Sequence, residues 1–187
     1  MDSAEPRSVA DVRRLEELGR PMEFLFFWGH RPSRSGEIGR SSLSQWWECP
    51  FTVDGVTYRS AEHWMMAHKA LLFGDERAFA RILRAEHPAE AKRIGRQVAG
   101  FDEATWAERR WEIVVSGNVA KFGQNPELGA YLLGTGDRIL VEASPLDRVW
   151  GIGLAADDER ASSPSRWRGL NLLGFALMEA RSRLRAS

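Results

Sequence analysis

The chain has 187 residues, 43% of them hydrophobic and 28% charged, which fits one domain with a sizeable core and excludes a wholly disordered chain. Its 26 Lys and Arg balance 26 Asp and Glu, so a general polyanion binder is disfavoured, while a small anion held by a few arginines is not. The single cysteine, Cys49, excludes a disulfide framework within the chain and points to a reducing, cytoplasmic setting.

No metal is expected. The histidines His30, His63, His68 and His87 form no i, i+4 pair, and one cysteine cannot complete a zinc cluster. The first residues lack a basic stretch followed by an apolar core, and no apolar run approaches the ~20 residues that span a bilayer. Neither a signal peptide nor a membrane partner is therefore expected.

In chain order, residues 9–18 carry a weak helical pattern that Gly19-Arg20-Pro21 ends, and residues 1–20 read as a partly helical extension. The apolar run 22–28, MEFLFFW, suits a buried strand, and the Ser-, Gly- and Arg-rich stretch 30–40 reads as a loop. Alternation around Asp54-Gly55 predicts a β-hairpin over 51–58, because Asp-Gly supplies the positive φ values of a type I′ turn. Ser60 caps a helix running to about Leu72 and ended by Gly74. Amphipathic helices follow over 75–86 and, with Pro88 at its first position, over 88–96.

Asp102 caps a longer helix to about Phe122, and Asn125-Pro126 opens a short one that Gly134-Thr135-Gly136 closes. A strand is expected over 138–142 and a long polar loop over 144–166. The final helix is expected over 169–184, with Leu170, Leu173, Leu177 and Leu184 facing inward. The fold class is α+β: one mainly helical domain over 21–187 with a small, largely antiparallel sheet.

Chemistry-bearing residues gather in a few segments. On the helix beginning SAEHWMMAHK, Glu62 and Lys69 lie within roughly 20° of one line, about 10 Å apart along the axis. Long side chains can share a pocket across that distance, although spacing alone favours the plainer reading of a helix-start acid and an exposed lysine. The helix dipole at Glu62 favours a carboxylate, and burial would push the other way. The stretch VEASPLDRVWGIG sets acids, Arg148 and Trp150 at a strand end and the loop after it, where ligand groups often gather. Its Gly-x-Gly lacks the third glycine and βαβ context of a dinucleotide fingerprint. Asn118 and Lys121 share a helix face, and Asn171 sits among leucines, where a buried amide needs partners. Eight tryptophans fill core or offer flat stacking surfaces.

Taken in order, FFWGH, SLSQWWECPFTVDGVTYRSAEHWMMAHKALLF, PAEAKRIGRQV, the Trp106/Trp111 pair with NVAKF, ILVEASPLDRVWGIG and GLNLLGFALMEAR resemble the YbiA/NADAR family from about Glu23 to Leu184. The resemblance implies a compact, mainly helical α+β fold, with hydrolysis of an N-glycosidic bond and no required cofactor. One branch of the family removes phosphoribosyl from early riboflavin-biosynthesis intermediates. Another removes ADP-ribose from modified guanine in nucleic acid, and a non-catalytic ADP-ribose- or NAD-binding module is a third reading. A small phosphoribosyl or ADP-ribosyl substrate is thus implied, with nucleic acid as a partner only in the guanine case.

Carried over by motif, the family's glutamate falls on Glu62 and its lysine on Lys69, while the later acid and indole fall on Asp147 and Trp150, followed by Gly151. Where the family often has Phe-Ser-Asn-Phe, this chain has Leu43-Ser44-Gln45-Trp46, a longer amide that bears on substrate identity. The resemblance implies that Glu62 meets the cationic sugar and the attacking water. Asp147 protonates the base or orients hydroxyls, and Lys69 holds phosphate or forms a Schiff base. Trp150 and Trp46 would stack on the base. Arg96, Lys92 and Arg148 are phosphate candidates, and Gln45 and Asn118 are further binding candidates.

Overall fold

A computed structural model of the chain describes residues 5–31 and 37–186. Residues 32–36 of the loop expected over 30–40, together with 1–4 and 187, lie outside the described residues.

The elements run α1 (Val9–Glu17), β1 (Phe24–Phe27), a 3-10 turn (Arg40–Leu43), β2 (Glu48–Val53), β3 (Val56–Ser60), α2 (Ala61–Leu72), α3 (Glu76–Arg84) and α4 (Pro88–Gly95). They continue with α5 (Glu103–Gln124), α6 (Pro126–Gly134), β4 (Ile139–Glu142), a 3-10 turn (Pro164–Arg166) and α7 (Leu172–Arg185). Helix starts follow local chemistry. Ser8, Ser60, Asp75 and Asp102 each accept a backbone N–H from the first turn, and Pro88 and Pro126 open α4 and α6. Asp54 and Gly55 take φ of 50° and 78°, the left-handed pair that closes the β2–β3 hairpin.

The small sheet consists of two separate pairs: β2 with β3, antiparallel, and β1 with β4, parallel. The parallel pair needs a crossover, and the helices α2 to α6 supply it. Helix α2 lies at the centre, packed on α3, α4 and α5, and α7 covers both α5 and β4. The crossing of α2 with α5 is close because Gly117 has no side chain. The Trp64 indole occupies the space a Cβ would need, and its Nε1 donates to the Ile113 carbonyl at 2.7 Å.

Two expectations need correction. Leu170 precedes α7 and is 48% exposed rather than inward-facing, because Asn171 takes a left-handed conformation (φ 51°) and α7 begins only at Leu172. The stretch 144–166 is not merely a polar loop. Ile152, Leu154 and Ala161 are buried, and the Trp167 indole donates to the Ala161 carbonyl at 2.7 Å, folding the segment onto the core.

Candidate active site

Six pieces of chain meet around a cleft of about 460 Å³: the segment 44–46, helix α2 from Glu62 to Lys69, the end of α4, the first half of α5 with the residues before it, the end of β4 with the loop after it, and Leu173 at the start of α7. Each piece is held by interactions that local sequence rules do not reveal. The Glu62 N–H donates to the Gln45 carbonyl at 2.9 Å, which ties the start of α2 to the 44–46 segment. Lys121, fully buried, donates to the Ser42 and Ser44 carbonyls at 2.7 and 2.8 Å and fastens that segment to α5. Burial pushes the Lys121 ammonium down to about 8. Asn118 donates to Gln45 Oε1 at 3.0 Å and to the Val114 carbonyl at 2.9 Å.

At the other wall, Asn171 receives the Glu142 N–H at 2.9 Å and donates to the Leu140 carbonyl at 2.9 Å, locking the end of β4 to α7. Asp147 Oδ1 accepts the N–H groups of Val149 and Trp150 at 2.9 and 2.8 Å, so this carboxylate shapes the turn that presents Trp150. Gly151 lies behind that turn, where a Cβ would press on the Glu142 and Asp147 carbonyls at 2.8 and 3.1 Å.

Glu62 is 2% exposed, and its Oε1 has no hydrogen-bond partner among the described residues. Burial raises its pKa to about 7. Lys92, a hydrogen bond with the Trp46 side chain and Arg96 pull it down, and Asp147 pushes it up. Its place in the first turn of α2 offers a carboxylate ~0.3–1 kcal/mol of dipole stabilisation, which desolvation outweighs.

Lys69 points along the same cleft, its Nζ 4.1 Å from the Phe101 ring centroid and 5.6 Å from that of Trp106. Burial lowers its pKa against the opposing pull of Glu103. Lys69, Lys92, Arg96 and Arg148 have no carboxylate within ion-pair distance among the described residues, whereas Arg110 faces Glu103 at 3.6 Å. The Trp46 ring stands 5.7 Å from Lys92 Nζ, and Leu146, 90% exposed, sits at the mouth.

The structure therefore brings Glu62, Lys69, Asp147, Trp150, Trp46, Gln45, Arg96, Arg148 and Lys92 to one cleft. It does not bring Asn118 or Gly151 to its surface. Asn118 stands one layer back, behind Gln45, and Gly151 behind the Asp147 turn.

Sequence reasoning counted Glu142 among the acids of VEASPLDRVWGIG but gave it no role. This residue lines the cleft beside Glu62 and Asp147, is half-buried, and has its Oε2 shut off from solvent with no hydrogen-bond partner among the described residues. Burial raises its pKa to about 8, the charges of Asp147 and Glu62 add to the rise, and Lys92 opposes it. The available signal was an acid closing the apolar strand ILVE. Among the described residues, no group of three His, Cys, Asp or Glu is arranged to hold a metal. No described helix is long and apolar enough to cross a membrane.

The NADAR domain model matches residues 26–185. The chain belongs to the NADAR family. An N-glycosidase of Acanthamoeba polyphaga mimivirus is 41% identical over 164 residues, covering 85% of this chain and 95% of that one. The N-glycosidase YbiA of Escherichia coli is 34% identical over 152 residues, covering 81% and 85%. A Vibrio vulnificus protein named for riboflavin biosynthesis is 34% identical over 142 residues, which make up 76% of this chain but 35% of that one. The NMR structure of Escherichia coli YbiA superposes with a TM-score of 0.69 at 29% identity, covering 88% of this chain and 86% of that one. The NADAR match includes every cleft residue named above, whereas α1 lies outside it.

Proposed function

We propose that this NADAR protein is an N-glycosidase that hydrolyses the ribosyl C–N bond of a phosphoribosylaminopyrimidine. The observation that carries this reading is Glu62, a buried carboxyl with one unpartnered oxygen in the wall of a cleft that also holds aromatic rings and cations without carboxylate partners among the described residues. Cleaving a ribosyl C–N bond develops positive charge on the sugar, and a carboxylate placed there stabilises it and orients water. In a water-poor pocket that stabilisation is worth far more than in solution.

The cations fit a phosphorylated sugar. Arg96 and Arg148 match phosphate geometry, and Lys69 and Lys92 act as point charges. Trp46 and Trp150 offer flat faces to a heteroaromatic base. The names of the mimivirus and Escherichia coli relatives support the reaction type, and that of the Vibrio relative supports the pathway.

The test is incubation of purified protein with a phosphoribosylaminopyrimidine, following ribose 5-phosphate and free pyrimidine by mass spectrometry. Release of both is expected. Turnover confined to ADP-ribosylated guanine in an oligonucleotide would move the assignment to the second reading. Tight ADP-ribose binding with turnover on neither substrate would make the protein a binding module.

The lowered pKa of Lys69 also favours imine chemistry with an opened sugar. Borohydride added during turnover would leave a sugar adduct on Lys69 in that case, and an unmodified Lys69 peptide leaves the lysine as a phosphate contact.

A further inference from the structure

We infer that Glu142, rather than Asp147, is the acid that protonates the leaving nitrogen, and that it works as a pair with Glu62 across the cleft. The inference rests on the N-glycosidase reading of the cleft and names the proton donor which that reading leaves open.

Three carboxyl groups line the cleft, and their surroundings separate their roles. Asp147 Oδ1 is engaged by the Val149 and Trp150 N–H groups and closes the turn. Glu62 and Glu142 each keep one oxygen that is buried and has no partner among the described residues. Native proteins rarely leave a buried polar oxygen unsatisfied, so two in one cleft point to a substrate group or a shared proton. The cleft has too little solvent to keep two neighbouring carboxylates fully charged.

The charged groups facing the pair also rank them. Lys92 on α4 and Arg96 at its end favour the ionised form of Glu62, and a hydrogen bond with Trp46 adds to this. Glu142 feels Lys92 more weakly than it feels Asp147 and Glu62. Mutual repulsion favours a single charge on the pair, and Lys92, Arg96 and the Trp46 hydrogen bond draw that charge to Glu62. Just before α7 the group against the end of β4 is Asn171, which is neutral and occupied with backbone partners.

The resulting step balances. The Glu142 carboxyl gives its proton to the ribosyl-bearing nitrogen, the C–N bond breaks, and its electron pair stays on nitrogen. Water attacks the sugar carbon and gives its proton to the Glu62 carboxylate. Hydroxide equivalent ends on the sugar and a proton on the base. The proton on Glu62 returns to Glu142 and resets the pair.

The test pairs two substrates with two variants. On the aminopyrimidine substrate, Glu142→Gln should lose ~10²–10⁴ in kcat, the range for removing a general acid. The wild-type alkaline limb, expected near pH 8, should disappear with it. A phosphoribosyl pyridinium departs as a neutral ring without a proton, so Glu142→Gln should cleave it within about tenfold of wild type, whereas Glu62→Gln should fail on both.

Wild-type turnover of the aminopyrimidine with Glu142→Gln equally active and the alkaline limb intact overturns the assignment alone. Equal losses on both substrates make Glu142 structural and overturn it too. If wild type does not accept the pyridinium, the alkaline limb decides. No wild-type turnover of any N-ribosyl substrate overturns the N-glycosidase reading itself.

Discussion

Glu62 illustrates how one side chain's position sets its chemistry. A glutamate in the first turn of an exposed helix is an ordinary carboxylate. Here the 44–46 segment folds over it, and desolvation outweighs the dipole. Glu62→Gln keeps the shape and removes the charge, so turnover should fall ~10²-fold or more with the thermal unfolding curve retained; wild-type turnover in a folded variant would exclude Glu62 from the reaction. The same two carboxyls give stability a pH signature. Glu62 and Glu142 bind protons more tightly in the folded chain, with pKa values raised from 4.5 to about 7 and about 8. Their favourable contribution is thus complete below pH 4.5 and is lost as pH rises through 7 and 8. Glu142→Gln should therefore be more stable than wild type at pH 9, by on the order of 3 kcal/mol, and nearly equal to it at pH 4. Urea melts at the two pH values check this, and a difference independent of pH would count against it.

At the scale of elements, the helices were legible because their signals are local. Caps at Ser60 and Asp102, prolines at Pro88 and Pro126, and the Asp54-Gly55 turn act within a few residues of themselves. The pairing of β1 with β4 was not legible, because it joins residues more than a hundred positions apart. The setting of Glu142 stayed hidden for a related reason: Asn171 accepts its N–H and Ile152 donates to its carbonyl, both from further along the chain. Asn118 and Lys121 drew notice as polar residues on one helix face, yet they support the cleft from behind by holding Gln45, Ser42 and Ser44. Close helix contact is likewise invisible in periodicity. Gly117→Ala would force a methyl against the Trp64 indole, beside its bond to Ile113. A cost of ~1–3 kcal/mol is expected for overpacking, or roughly 2–4 °C of Tm per kcal/mol in a chain of this size. Calorimetry would show it, and an unchanged Tm would mean that α2 and α5 separate freely.

For the whole molecule, the telling feature is how the N-terminal residues meet the segment that follows the cleft-lining turn at Asp147. Helix α1 lies before the matched region 26–185, yet it packs on the 3-10 turn at Pro164–Arg166. Arg13 donates to the Pro164 and Trp167 carbonyls at 3.1 and 3.3 Å, and Glu16 accepts the Ser165 N–H at 2.9 Å. Arg7 pairs with Glu179 at 2.8 Å, and Glu5 pairs with Arg181, whose side chain is wholly buried. Arg181 also donates to Thr135 Oγ1 at 2.8 Å and to the Arg138 carbonyl at 3.0 Å, so one guanidinium joins α7, α6 and the approach to β4. Removing one partner of a buried ion pair typically costs ~3–5 kcal/mol, because the remaining charge is stranded. Deleting residues 1–20 should therefore lower Tm by about 6–20 °C, and Glu5→Gln alone should produce much of that loss. The turn at Pro164–Arg166 belongs to the segment that runs from the Asp147 turn to α7, so the deletion should also raise KM on the cleaved substrate through a looser cleft wall. Melting curves and steady-state kinetics on the two variants separate the effects. A truncated protein with wild-type Tm and KM would show that the first twenty residues are merely appended to a self-sufficient NADAR domain.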